Sequence, residues 1–135
     1  MSALPPGSTI GIIGAGQLGR MLGVAAAQLG YRIHVFAPRP GPACDVNNAF
    51  TQAEYDDDAA LAEFAKSVDV VTYEFENIEA NPIARLGELV PVRPSAKALA
   101  IAQDRTKEKR FVEKLGGRAA PWREVTSRAE LDAAI

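Results

Sequence analysis

The sequence predicts an α/β fold, a doubly wound parallel sheet flanked by helices, and three observations predict it. Short runs rich in β-branched and aromatic residues alternate with helix-forming stretches at the spacing of βαβ units. The first run, TIGII, is too apolar to have a solvent face, so it belongs at the sheet centre with both sides covered. Directly after it comes Gly14-Ala15-Gly16-Gln17-Leu18-Gly19, a glycine spacing suited to a tight turn from a central strand into a helix.

Each element has its own local reason. Residues 1–8 read as a loose tail, because Pro5, Pro6 and Gly7 resist regular structure. Thr9–Ile13 is the first strand, and Leu18–Leu29 is a helix closed by Gly30. Arg32–Phe36 is the second strand, and Pro38, Pro40, Gly41 and Pro42 force a loop after it. Ala49–Gln52 forms a short third strand. Asp56, Asp57 and Asp58 precede AALAEFAKSV, where a carboxylate can cap the helix and favour its positive end. Those aspartates lack the alternating oxygen ligands of a calcium loop, which sets capping ahead of metal binding. Val70–Tyr73 is the fourth strand. Right-handed crossovers then give the order 3-2-1-4, which seats strand four beside strand one and its loop, EFENIE, beside the glycine loop.

Past Pro94 the character changes. Ser95 can cap AKALAIAQ, Asp104 can cap RTKEKRFVEKL, and Gly116-Gly117 ends that second helix. PWREVTS reads as a short strand, and Ser127 with Glu130 forms a capping box for a last helix. That helix reaches Ile135 without a C-terminal cap, as expected of a piece of a longer polypeptide.

The bulk numbers exclude several classes. The 135 residues are 47% hydrophobic and 24% charged, the balance of an ordinary globular protein with one sizeable core. A net charge of -2 without a basic stripe gives no footprint for nucleic acid. No segment has the apolar length to cross a bilayer, and the N-terminus shows no export signal. Cys44 is the single cysteine; RPGPACD gives it the setting of a loop residue rather than a reactive thiol. His34, the single histidine, lies mid-strand and reads as a packed residue.

The glycine loop carries the first functional reading. Gly14 can make the tight turn, Gly16 can let backbone approach a phosphate, and Gly19 can bring the helix close to the strand. The helix start offers unpaired N–H groups to an anion, and the Gln17 amide can donate to a phosphate or ribose oxygen. A glycine turn needed only for strand–helix packing is the plainer alternative. A dinucleotide site also wants an acid at the end of strand two, where this chain has Ala37 and Pro38. Arg39 could meet a 2′-phosphate, which keeps an NADP-binding oxidoreductase domain as the rival reading.

A carboxylate after strand four could hold a sugar diol instead. Thr72, Glu74 and Glu76 share one side of an extended segment, with Tyr73 and Phe75 on the other. Glu76 lies farther toward the loop and is the better placed of the two for a ribose, while capping or pairing with an arginine is the alternative use of both.

GIIGAGQLGRM, VTYEFENI, VPVRPS and AQDRTKEKRFVEKLG, followed by APW, together resemble the amino-terminal part of the N5-carboxyaminoimidazole ribonucleotide synthetase family, in the ATP-grasp superfamily. The resemblance implies a Rossmann-like pre-ATP-grasp domain over residues 9–103 and the first elements of an ATP-grasp domain over 104–135. It implies an ATP-dependent carboxylase of purine synthesis, joining 5-aminoimidazole ribonucleotide, bicarbonate and MgATP to give the N5-carbamate, ADP and phosphate. In the family ATP phosphorylates bicarbonate to carboxyphosphate, whose carbon the substrate amine captures.

Carried onto this chain, the resemblance turns the loop of Gly14, Gly16, Gln17, Leu18 and Gly19 toward the substrate phosphate and sets Glu76 with Asn77 on the ribose side. Arg105 matches a position that reaches ATP phosphates; a helix-surface arginine paired with Asp104 or Glu108 is the alternative. No catalytic residue and no metal ligand is expected here, because the family's ATP-grasp lysines and magnesium ligands fall beyond Ile135. A cytoplasmic homodimer with no nucleic-acid or membrane partner is implied. Ala37 departs from the pattern, since many relatives carry an acid there. A sister enzyme, the formate-dependent glycinamide ribonucleotide transformylase, tends to carry glutamate where Gln17 stands. A non-catalytic dimerisation module is the third reading.

Overall fold

The computed structural model describes residues 3–135, so residues 1 and 2 of the expected tail lie outside the described residues. Four strands form one parallel sheet in the order β3-β2-β1-β4: β1 (Thr9–Ile13), β2 (Arg32–Ala37), β3 (Ala49–Gln52) and β4 (Val70–Tyr73). The register pairs Ile13 with Phe36 on one side and with Tyr73 on the other. The fold is therefore the doubly wound α/β sheet that the strand spacing predicts, with β1 central and β4 beside it.

Six α-helices are present among the described residues: α1 (Gln17–Gln28), α2 (Asp58–Lys66), α3 (Ala80–Leu89), α4 (Ala96–Ala102), α5 (Arg105–Lys114) and α6 (Arg128–Asp132). A 3-10 turn, Pro42–Asp45, follows β2 where the sequence shows only a loop. Helix α3 is not anticipated by the sequence reading. Its signals are Pro82, tolerated in a first turn, and buried Ile83 and Leu86 at helical spacing. Two compact units divide the chain, one ending at Leu99 and one spanning Ala100–Ile135.

The sheet separates two unlike cores. On one face Ile13, Phe36, Phe64, Val71, Ile83 and Leu86 pack together, with two large aromatics meeting edge to face at 5.2 Å. On the other, Ile12, Ile33 and Val35 are buried with small residues, Ala15, Ala26, Ala37 and Ala43, and half-buried Tyr31 and Phe50 pack against them. Alternation along β1 and β2 sends neighbouring side chains to opposite faces. Gly11 lies where an added Cβ would come within 2.7 Å of the Phe64 ring, so the bulky face needs a glycine in the central strand. Residues after the expected tail's start are tied to the sheet: the Tyr31 hydroxyl donates to the Leu4 carbonyl and Gly7 N–H to Gly30 O.

Capping follows the sequence chemistry. Asp57 accepts from Ala60 N–H at 2.9 Å and caps α2, while Asp58 pairs with Arg85. In the second unit Asp104 accepts from Thr106 and Lys107 N–H, which holds its carboxyl below the usual range. The expected strand PWREVTS is not one. A strand needs a ladder partner, and this segment is instead pinned to α5 by Trp122 donating to Glu113 and Arg110 pairing with Glu124.

His34 lies half-buried on β2, with Nδ1 2.8 Å from the Ser67 hydroxyl, Nε2 2.8 Å from that of Thr51, and its ring edge-to-face with Phe64. Burial lowers its pKa from the ordinary 6.5. On acidification the unfolded chain therefore takes up this proton before the folded one does. Stability should fall as the pH drops below about 6.5, until the folded histidine itself titrates. Urea midpoints measured across that range should slope less in His34→Gln than in the parent protein; an unchanged slope would remove His34 as the cause.

Candidate functional site

The β1–α1 turn is built around three glycines with different jobs. Gly14 has φ +109°, a conformation that favours glycine, and its N–H donates to Phe36 O at the end of β2. Gly16 is the N-cap of α1 and has no side-chain oxygen to satisfy the first helical amides. Gly19 packs its bare Cα toward Ala43 and Glu74.

The missing cap comes from strand four. The Glu74 N–H donates to Ile13 O at 3.1 Å, which fixes the end of β4 directly beside the glycine turn. The Glu74 carboxylate then accepts from Gly16 N–H through one oxygen and from Gly19 N–H through the other, both at 2.5 Å. Carboxylate and helix start are complementary: the unpaired amides and the positive end of the dipole face a negative side chain. Cβ atoms added at Gly14 or Gly16 would come within 2.7 Å of Glu74, so these glycines make room for the carboxylate.

The arrangement places the expected site residues differently from the sequence expectation at two points. Gly16 and Gly19, read as amides for a substrate phosphate, give their N–H groups to Glu74. The glycine N-cap needs an acceptor and the adjacent strand supplies one. Glu76, read as the better placed carboxylate, is exposed two residues farther along, and Asn77 lines a separate depression of about 170 Å³ with Glu54, Tyr55 and Asp56. Gln17 and Leu18 open α1, so their N–H groups have no acceptor within the helix. The Gln17 side chain lies on a groove along α1 with Arg20 and Met21.

Residues missed in the sequence complete the surroundings. Tyr55 stacks edge to face on Phe75 at 6.1 Å, and its phenol is raised by burial and then by the carboxylates of Glu74 and Glu54. Ala43, on the 3-10 turn, is fully buried and donates its N–H to Ala15 O at 3.0 Å. Through it the loop after β2 closes over the glycine turn. That crevice is where a dinucleotide reading needs an acid or Arg39, and Arg39 is exposed. In the second unit Arg105 has a side chain 79% exposed and pairs with Glu108 on its own helix. Among the described residues no group of three or more His, Cys, Asp or Glu side chains is arranged to hold a metal ion. Nor is any helix among them long and apolar enough to cross a membrane.

Sheet order, glycine turn and the carboxylate beside the switch point define an open α/β domain whose first helix starts against an acid from the neighbouring strand. The chain belongs to the ribonucleotide synthetase preATP-grasp domain family, whose model matches residues 7–103. Over 135 residues it is 50% identical to the N5-carboxyaminoimidazole ribonucleotide synthase of Brucella melitensis, covering 99% of this chain and 37% of that protein. The N5-carboxyaminoimidazole synthetase of Staphylococcus aureus complexed with ADP superposes with a TM-score of 0.88 at 39% identity, over 97% of this chain and 35% of that one. The Aspergillus clavatus synthase in complex with ADP and 5-aminoimidazole ribonucleotide superposes with a TM-score of 0.73 at 28% identity, over 82% of this chain and 30% of that one. The chain thus spans little more than a third of the length of such relatives.

Proposed function

We propose that this chain forms the ribonucleotide side of an ATP-dependent carboxylase acting in purine synthesis. The reaction joins 5-aminoimidazole ribonucleotide, bicarbonate and ATP, giving N5-carboxyaminoimidazole ribonucleotide, ADP and phosphate. The observation that carries the proposal is the Glu74 carboxylate clamped between Gly16 and Gly19 N–H. A carboxylate has about four lone-pair directions, and the clamp uses two. The rest are free in direction to accept the vicinal hydroxyls of a ribose, from an anion already fixed in place. The ribose role read for Glu76 and Asn77 thereby passes to Glu74, while the phosphate falls to the open N–H groups of Gln17 and Leu18.

The supports for this reading are the family membership and the ADP and 5-aminoimidazole ribonucleotide held by the Aspergillus clavatus relative. Residues 9–103 would then be the pre-ATP-grasp domain and 104–135 the start of the ATP-grasp domain. Arg105 is assigned to ATP phosphates, exchanging Glu108 for a phosphate oxygen, where its charge would offset that developed in phosphoryl transfer. ATP would supply the phosphoryl group that activates bicarbonate. Magnesium is expected to be held by other parts of the enzyme, which is read as a cytoplasmic homodimer. An NADP site fits worse, because a pyrophosphate would compete with Glu74 for the same two amides.

The test is ATP hydrolysis by the complete polypeptide. It should rise when 5-aminoimidazole ribonucleotide and bicarbonate are both present, with the N5-carbamate as product. Hydrolysis indifferent to both would refute the assignment. Binding of NADPH that disappears in Arg39→Ala would move the protein to the oxidoreductase reading.

A further inference from the structure

A row of aromatic rings runs from the core to the carboxylate clamp. Phe64 meets Phe36 edge to face at 5.2 Å, the Phe36 ring lies 6.4 Å from that of Tyr55, and Tyr55 meets Phe75 edge to face at 6.1 Å. Phe75 follows Glu74 directly. Its ring lies against Gly14, where an added Cβ would stand 2.8 Å from it. The glycine turn, the Glu74 side chain and the Phe75 ring therefore share one small space, and Tyr55 packs on the Phe75 end of it.

Sheet pairing stops at this point. The β1–β4 register ends with Ile13 and Tyr73, and the Glu74 N–H to Ile13 O bond closes it. Residues 75–79 then run without regular structure until α3 begins at Ala80. Tyr55, by contrast, is anchored on both sides. It stands between β3 and α2, where Ala53 N–H donates to Ala37 O at 3.3 Å and Asp57, the cap of α2, donates its N–H to Glu54 O at 3.2 Å. Its half-buried ring packs against both cores. Burial first, then the carboxylates of Glu74 and Glu54, push its phenol up from the ordinary 10, so the ring stays neutral near Glu74.

We propose that Tyr55 is a positioning residue for the ribonucleotide: its ring, through Phe75, keeps the Glu74 carboxylate seated on the Gly16 and Gly19 amides, in the orientation that receives the ribose hydroxyls. The inference rests on the role given to Glu74 above and deepens it. A carboxylate free to leave its seat would have to be ordered again each time the ribose binds, and that entropy would be taken from affinity. The ring carries the effect rather than the hydroxyl, because the contacts to Phe36 and Phe75 are ring contacts.

In the complete polypeptide, Tyr55→Ala should raise KM for the ribonucleotide about tenfold, while kcat and KM for ATP change by less than about twofold. Tyr55→Phe keeps the ring and should bring that KM back to within about threefold of the parent. In a Glu74→Ala background Tyr55→Ala should have no further effect on it, because the residue acts through the carboxylate. Should the alanine variant not fold, Tyr55→Leu carries the same comparison, since it keeps apolar volume and loses the aromatic edge. Ile33→Val, a buried truncation at the far end of β2, reports core loosening alone and should lower the melting temperature without moving either KM. If Glu74→Ala by itself leaves the ribonucleotide KM unchanged, the reading of Glu74 falls and this one with it. If Glu74→Ala acts but Tyr55→Ala does not, or Tyr55→Ala acts equally in both backgrounds, Glu74 keeps its role and positioning by Tyr55 falls. A loss in Tyr55→Phe as large as that in Tyr55→Ala would make the hydroxyl a direct substrate contact, which also overturns the proposal.

Discussion

Replacing Glu74 by alanine in the complete enzyme is expected to raise KM for the ribonucleotide about 100-fold while changing KM for ATP little. Hydrogen bonds to a charged group contribute roughly 1.5–3 kcal/mol each, and two hydroxyls would lose theirs. Part of that loss is returned by water, because Glu74 is only half-buried, so a net cost of about 2.7 kcal/mol is reasonable, and that is 100-fold. Glu74→Gln separates charge from shape. One of its two clamp positions becomes an NH2 group facing a backbone N–H, so the loop should loosen even though the side chain keeps its size. Glu76→Ala is the matched control and should leave the ribonucleotide KM within a few-fold of the parent. Equal effects at positions 74 and 76, or a rise in KM for ATP as large as that for the ribonucleotide, would count against the assignment. Steady-state kinetics with each substrate varied in turn decides it.

The sheet was legible because each strand carried its own signal. TIGII had no polar face and so had to be central, and β4 took its place beside it because right-handed crossovers leave few other orders. Caps at Asp57, Ser95, Asp104 and Ser127 were equally local: each is a side-chain oxygen one turn from the amide it meets. What escaped the sequence was long-range. Glu74 and Gly16 are 58 residues apart, and nothing local says that a carboxylate will take the amides of a distant helix. Glu76 was preferred because it lies farther toward the loop, yet the first residue past the strand is the one the β1–β4 register holds against Gly14. PWREVTS misled for the same reason, since strand propensity without a ladder partner makes no strand. Helix α3 was hidden by its proline, which reads as a breaker until it is counted into the first turn.

Gly14→Ala is expected to produce the larger structural effect. At φ +109° an alanine would cost roughly 1–3 kcal/mol of backbone strain. Its Cβ would also stand 2.5 Å from Glu74 Cγ and 2.8 Å from the Phe75 ring, an overlap worth about 1–3 kcal/mol more. The combined cost of about 4 kcal/mol corresponds to a fall of about 20 °C in the melting temperature of a domain this size. Gly7→Ala calibrates the first part: its φ is +91°, but a Cβ there meets nothing within 4 Å, so strain acts alone. The difference between the two variants therefore measures the crowding of the clamp, read by thermal unfolding followed by circular dichroism. Because the clash falls on Glu74, removing that side chain should relieve it. Gly14→Ala added to Glu74→Ala should cost less than Gly14→Ala alone, by about 1 kcal/mol or more. If the two substitutions were simply additive, or Gly14→Ala were no worse than Gly7→Ala, the glycine at position 14 would serve only the turn, and the carboxylate would have no close seat against it.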